Sequence, residues 1–241
     1  MFTIKCAIKR PGVAHMVSPY QEKLHDQITR FAEMKRMYEF IFEVFDHFRN
    51  QRVKNDLLYR YHFLAIDGLV LELTNFSDQL VKFLRFAGSN YLREIRRNRA
   101  KRILESEPIA SDPNSEISKK IEHDIAKRQA AEFERRYDQF FPKVKNRNKG
   151  YPNIDDIEEH INELINVMKP IKLHRNTAVA HRGEEPQRAT FNDFTEAFDH
   201  LENLLSNLLY CSFWTSHSTN ILGGSDIEAT AKLLCEEMLG S

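Results

Sequence analysis

Glycine and proline are scarce in this sequence, each occurring only eight times in 241 residues. Strand-and-turn architectures need such residues at their many turns, so their scarcity disfavours those folds and favours long helices. Hydrophobic residues make up 41% of the chain and charged residues 29%, which is the balance of a globular protein rather than a disordered one. The length is sufficient for one large domain with its own hydrophobic core.

The sequence also lacks a net charge of either sign and a set of paired cysteines. Basic and acidic residues balance at 35 each, so no global field directs the chain toward nucleic acid or an anionic membrane. Cys6, Cys211 and Cys235 are odd in number and form no CxxC pair. They indicate reduced thiols, and we therefore expect a cytoplasmic protein.

No apolar run is long enough to cross a bilayer, so no membrane association is expected. The first 17 residues are mixed and cationic, without the apolar core of a signal peptide. They could form a short strand, a flexible arm, or a leader ahead of a true start at Met16. We accordingly predict an N-terminal arm or leader over residues 1–17 and a single helical domain over residues 18–241.

Apolar residues at helical spacing predict two long helices in the first part of the chain. The first begins at Ser18-Pro19 and runs to about Asn50, and the second runs from about Lys54 to Ala87, where Gly88-Ser89-Asn90 is predicted to break the chain. The predicted buried side of the second helix comprises Leu57, Tyr61, Leu64, Leu71, Phe76, Leu80 and Leu84. Gly68, which costs about 1 kcal/mol in a helix, suggests a close approach of another helix.

The segment over residues 89–150 is highly charged and is predicted to be an insertion or arm. It begins with a basic run that includes Arg93, Arg96 and Arg97. This run could follow an RNA backbone or simply be a solvated helix face. A charged helix from Glu116 to Phe140, with a thin apolar stripe, is predicted to follow.

The last third of the chain has the clearest helical pattern. A helix capped by Asn153 or Asp155 is stopped or kinked at Pro170, and a short helical segment from Ile171 to about Arg182 follows. Another helix opens at Thr190 or Asn192, and a final short one covers 226–239. The predicted fold class is all-α, a multi-helix bundle.

One polar segment stands out between two strongly amphipathic helices. Residues 173–183 are LHRNTAVAHRG, in which Arg175 is followed by the polar Asn176 and then, after small residues, by His181. Here the chain resembles the HEPN superfamily of helical-bundle proteins, many of them RNases of toxin–antitoxin and phage-defence systems. The hallmark of that superfamily is an Arg, usually with a polar follower, and a His a few residues later. The resemblance covers roughly residues 153–210, and the segment is most similar to abortive-infection members.

The resemblance implies a metal-independent endoribonuclease without a cofactor, acting as a toxin or phage-defence effector. Its catalytic residues would be Arg175, Asn176 and His181, and its partners would be RNA, a second copy of the chain, and an antitoxin or other regulatory protein. His titrates near neutral pH and can transfer the protons of RNA cleavage. Arg holds phosphate oxygens through two parallel hydrogen bonds, and Asn176 could orient the phosphate or the imidazole.

Arg175 and His181 lie roughly 120° apart around an ideal α-helix, so one helix face does not bring them together. The resemblance implies that two protomers pair and that both motif sets line one composite cleft.

Alternative interpretations remain open. Arg175 and His181 could be a surface arginine and a helix-ending histidine, and Arg182 could contact phosphate or only favour the helix C-terminus. His174 and His181 share a helix spacing, but no further ligand completes a metal site, and no metal is predicted. The chain could also be a non-catalytic HEPN-like module that binds RNA or protein, or an adaptor that uses residues 114–141.

Overall fold

The computed structural model describes residues 19–50, 56–105, 116–142, 154–180 and 186–213. For residues 19–22, 87–105, 116, 118–119, 122, 129, 154 and 210–213 it describes the backbone only. Within these ranges the chain is almost entirely helical and contains no strand. The predicted all-α fold class is confirmed. The first 18 residues and the predicted helix over 226–239 lie outside the described part of the chain.

Six α-helices and one π-helix follow one another in these ranges. They are α1 (Pro19–Asn50), α2 (Asp56–Glu105), α3 (Glu116–Phe140), α4 (Ile154–Val167), α5 (Lys169–His174), a π-helix (Arg175–Ala180) and α6 (Phe191–Phe213). The predicted bounds of the first helix and of the charged helix α3 are confirmed. None of the helices in the described ranges is long and apolar enough to span a membrane.

The predicted break at Gly88-Ser89-Asn90 is wrong, because α2 continues through these residues as one helix of 50 residues. A single glycine costs a helix only about 1 kcal/mol, and no proline follows to remove a backbone donor. The packing of α2 along several other helices offsets that cost.

The core is built where α1, α2 and α6 pack along one another. Phe31 of α1 packs against Phe76 of α2 and Phe198 of α6, with ring centroids 6.1 and 5.9 Å apart. Nearer the other end of α1, Tyr38 stacks on Phe198 at 4.6 Å, and its hydroxyl lies 2.9 Å from Thr195 Oγ1. Lys23 Nζ lies 4.3 Å from the Phe86 ring centroid, and the ring of Phe45 stacks on His62 at 4.5 Å. The contacts therefore run in opposite chain directions, and α1 is antiparallel to both α2 and α6.

The second half of α3 belongs to the same core, although the helix is highly charged. Phe133, Tyr137, Phe140 and Phe141 are buried, and the ring of Phe140 stacks on His160 of α4 at 4.2 Å. Ile117, Ile121 and Ile125, in the first half of α3, are exposed. The apolar stripe predicted along this helix is thus buried over its second half only.

The predicted buried face of α2 is correct for its middle and wrong for its first turns. Phe76, Leu80 and Leu84 are buried, but Leu57, Tyr61, Leu64 and Leu71 are 41–62% exposed. The side chains buried there instead are Leu58, His62, Leu69, Val70 and Leu73. Apolar residues occur on more than one face of this part of α2, so their spacing alone does not select the face that α1 and α5 cover.

The end of α4 and the start of α6 follow the predicted signals. α4 stops at Val167, and α5 begins at Lys169 with proline in its first turn, as predicted for Pro170. Thr190 caps α6: its Oγ1 accepts the Asp193 N–H at 3.3 Å, and the Asp193 carboxylate accepts the Thr190 N–H at 2.6 Å. This reciprocal pair fixes where the chain turns after the motif segment.

Candidate functional site

The motif segment lies on a change of helix type. α5 ends at His174, and Arg175–Ala180 form one turn of π-helix rather than the continuous α-helix that the sequence predicted. Ile171, His174 and Ala178 point inward and are 0, 1 and 8% exposed. A π-turn widens the helix by one residue per turn, and such turns often occur at functional sites.

His174 anchors this segment to α2 from within the core. Its Nε2 lies 3.0 Å from Oδ1 of Asp67, and its Nδ1 accepts the backbone N–H of Ala189 at 3.3 Å. Because Nδ1 is the acceptor, Nε2 must carry the proton and donate it to Asp67. One buried imidazole therefore joins α5, α2 and the chain that leads into α6.

Burial lowers the pKa of His174, and the positive charge of Arg188 acts in the same direction. The hydrogen bond to Asp67 and the charge of that carboxylate oppose the shift. The net lowering favours the neutral ring, which is the form that the two hydrogen bonds require. Both ring nitrogens of His174 are thus engaged in hydrogen bonds within the protein.

Residues 186–190 close over the motif segment. The Thr177 hydroxyl lies 2.9 Å from the Leu173 carbonyl and 3.1 Å from the Gln187 carbonyl, and it accepts the Gln187 N–H at 3.1 Å. The Arg188 guanidinium lies 4.8 Å from the ring centroid of Phe63 and 3.6 Å from the Asp67 carboxylate. Thr177 thus holds the π-turn to residues 186–190, and Arg188 holds the same residues to α2.

Arg175 and Asn176 follow this anchor directly and face outward. Arg175 is half-exposed and Asn176 is exposed. The Arg175 Nε donates to the Asn176 Oδ1 at 3.2 Å, a contact that orients the guanidinium without using its two terminal nitrogens. The structure therefore brings two of the three predicted catalytic residues together. His181 and Arg182, the remaining motif residues, lie outside the described residues.

The angle of roughly 120° expected between Arg175 and His181 assumed an α-helix throughout. That premise is wrong for Arg175–Ala180, because a π-helix repeats at i to i+5 rather than i to i+4.

The basic run of α2 lies far from the motif within one protomer. Arg93 stands 26 residues beyond Asp67, the α2 residue that holds His174, along one continuous helix. At a rise of 1.5 Å per residue this is about 40 Å along the helix axis, and Arg96 and Arg97 lie further still. A site at Arg175 therefore cannot also use these arginines for the same phosphate in the same chain.

A second polar depression lies between α4 and α6 and does not include the motif. Its lining includes His160, Glu163, His200 and Asn203, around a cavity of about 290 Å³. His200 Nε2 is buried without a hydrogen-bond partner, and burial lowers the pKa of this histidine. In the described ranges no three His, Cys, Asp or Glu side chains are placed to hold a metal ion.

The pairing of Asp67 with His174 was not predicted from the sequence. Two signals for it exist: Asp67 interrupts the apolar run from Phe63 to Leu73, and His174 follows Ile171 at the spacing of a buried helix face. Each signal is ambiguous alone, because the two residues are 107 positions apart in the chain.

Comparison of the chain with protein-family models, with curated proteins and with solved structures gave no match. The functional interpretation consequently depends on the motif and its geometry.

Proposed function

We propose that this protein is a metal-independent endoribonuclease of HEPN type, a toxin or phage-defence effector whose active site is completed by a second copy of the chain. Arg175 would bind the scissile phosphate and stabilise the charge that develops on it. His181 would take the 2′-OH proton or donate one to the departing 5′-oxygen. Asn176 would hold the Arg175 guanidinium in place.

The observation that carries this proposal is the presentation of Arg175. Arg175 directly follows a buried histidine that is hydrogen-bonded at both ring nitrogens, so its backbone is held in place. It lies on a π-turn, and Asn176 orients its accessible guanidinium at 3.2 Å. Such an arrangement favours a role in binding an anion, since a solvated surface arginine needs no such support. A phosphodiester is the anion that the imidazole of His181, six positions later in the sequence, would help to cleave.

The first test is cleavage of total RNA by the purified full chain in excess EDTA, together with growth inhibition on expression. We expect His181→Ala to reduce cleavage by roughly 10²–10⁴-fold, the usual contribution of a positioned acid or base. His25→Ala is the matched control, because His25 is exposed on α1 and away from the motif. Unchanged cleavage in His181→Ala would remove this imidazole from the mechanism.

Arg175→Lys and Arg175→Ala test the second role. Lys keeps the charge but not the two parallel hydrogen bonds, so Arg175→Lys should lose part of the cleavage activity. Arg175→Ala should lose more, about 10²–10³-fold relative to the parent. Arg128→Ala, an exposed arginine of α3, is the control for a general loss of positive charge. Retention of RNA on the parent protein without cleavage would instead favour the non-catalytic HEPN-like binding module.

A further inference from the structure

An apolar stripe runs along the outer face of α2. Tyr61, Leu64 and Leu71 are 58, 62 and 41% exposed, and Gly68 lies between the two leucines on the same face. Their positions alternate in steps of four and three, which aligns all four residues along one side of the helix. We name these four residues the α2 stripe. Single exposed apolar residues are ordinary, but a contiguous row of them is typical of an interface.

Gly68 is not explained by any packing inside the described chain. A Cβ built on it would meet no atom of another described element within 4 Å, so none of the described helices makes the close approach that the sequence suggested. The glycine nevertheless lies in the interior of a 50-residue helix, where it costs about 1 kcal/mol relative to alanine. Its missing side chain would therefore serve a close approach by a helix from outside the described residues, and a second copy of the chain supplies one.

The α2 stripe lies between α1 and the motif segment. On one side, Glu72 accepts a hydrogen bond from Arg30 of α1 at 3.0 Å. On the other, Asp67 accepts one from His174 at 3.0 Å. A molecule seated on the stripe would therefore lie beside the π-turn that carries Arg175.

We propose that the α2 stripe is the self-association surface of this protein, and that the α2 helices of two copies cross antiparallel at Gly68 about a two-fold axis. A second copy suits the stripe because the stripe is complementary to itself. Leu64 and Leu71 stand four residues before and three residues after Gly68. An antiparallel crossing therefore sets Leu64 of one protomer against the partner's Leu71, and glycine against glycine, where the backbones are closest.

A stable dimer requires more buried surface than the α2 stripe supplies, so the interface must extend to the motif segment. An interface of standard size buries about 800 Å² per partner, more than the three side chains and one glycine of the α2 stripe supply. The surfaces that flank α2, including the motif segment, must contribute the rest. An antiparallel two-fold also keeps the motif segments of both copies on the same side of the interface, as a composite cleft requires. What the dimer does depends on the proposed function, but its formation does not.

Sedimentation velocity of the full chain at micromolar concentrations tests the surface. We expect a dimer for the parent chain and for Ile121→Glu, which places a charge on an equally exposed isoleucine of α3. Leu64→Glu should weaken the dimer about a hundredfold, because it buries two like charges near the axis. Leu64 is 62% exposed, so thermal unfolding of the dilute variant should resemble that of the parent.

Gly68→Leu gives a second, independent measurement. Because no other described element packs on Gly68 and leucine is a better helix former than glycine, the dilute protein should melt at the same temperature or higher. The same side chain should prevent the crossing and give a monomer. A parent chain that stays monomeric, or a Leu64→Glu or Gly68→Leu variant that stays dimeric, would overturn the inference.

RNA cleavage, measured in parallel, keeps the two proposals distinguishable. If the stripe variants are monomeric and the dimeric parent leaves RNA intact, the α2 interface is supported and the nuclease is contradicted. Monomeric variants that still cleave RNA support the α2 interface and contradict only the composite cleft.

Discussion

Two consecutive stretches of this protein, α4 and the segment over residues 169–190, are held in place by different forces. α4 buries Ile157, Ile161 and Leu164 almost completely, and its charged residues lie mostly on the opposite side. The following segment also buries one residue per turn, but its central buried residue is His174, hydrogen-bonded at both ring nitrogens. The same helical period thus serves hydrophobic burial in one stretch and a polar anchor in the next.

This difference explains why only the second stretch can expose a polar motif in a defined orientation. Hydrophobic burial is non-directional, and it fixes a helix face without fixing individual groups. Hydrogen bonds to Asp67, Ala189 and Gln187 fix both the rotation of the segment and the path of the chain that covers it. The three predictions below test this contrast.

The largest effect is expected from truncation of the apolar anchor of α4. Leu164→Ala should lower the free energy of unfolding by about 2–5 kcal/mol, because Leu164 is fully buried and its loss leaves a cavity. Leu173→Ala is the matched control in α5, where the side chain is 44% exposed and the cost should stay below about 1 kcal/mol. Denaturant titration measures both, and equal losses would show that the two stretches are not held differently.

Removal of the polar anchor should have a smaller and more local effect. His174→Ala should cost about 2–3 kcal/mol, because it leaves the Ala189 N–H and the Asp67 carboxylate without this partner. Hydrogen exchange should increase over residues 169–190 while protection of α4 is kept. His25→Ala, on the exposed side of α1, should change neither. An equal loss of protection in α4 would show that the two stretches open as one unit.

The smallest effect is expected from pH. Burial lowers the pKa of His174, His62 and His200, whereas the unfolded chain binds these protons near pH 6.5. Acidification below about pH 6.5 therefore protonates the unfolded state first, and folded stability decreases. For His174 the decrease is limited, because Asp67 opposes the effects of burial and of Arg188.

Denaturant titrations on either side of pH 6.5 measure this dependence. The parent should lose stability on acidification, and a variant with His62, His174 and His200 all replaced by Gln should lose less. A constant stability in the parent would contradict the lowered pKa values.

The helices themselves were predictable, because each depends on information within a few turns. The bounds of α1 and α3, the interruption at Pro170 and the Thr190 cap follow from local spacing, proline geometry and a reciprocal hydrogen bond. The break predicted at Gly88 was wrong because it was inferred from local residue types alone, whereas the packing of α2 along other helices also decides whether the helix continues.

The candidate site was predictable in part. Arg175 and Asn176 could be singled out by residue type and order, and the structure places them in contact. The anchor beneath them could not be found in this way, because Asp67 and His174 are separated by 107 positions. The exposed face of α2 was assigned wrongly, since its first turns carry apolar residues on both faces.

The sequence alone determined that this chain is helical and where most helices begin and end, because helix formation depends on contacts between residues three and four positions apart. Only the tertiary structure decided which side of α2 faces the core, that a buried imidazole supports Arg175, and that no other described helix packs on Gly68. These outcomes depend on residues that are distant along the chain. The spacing of apolar residues within one helix does not tell which other helix will pack against it.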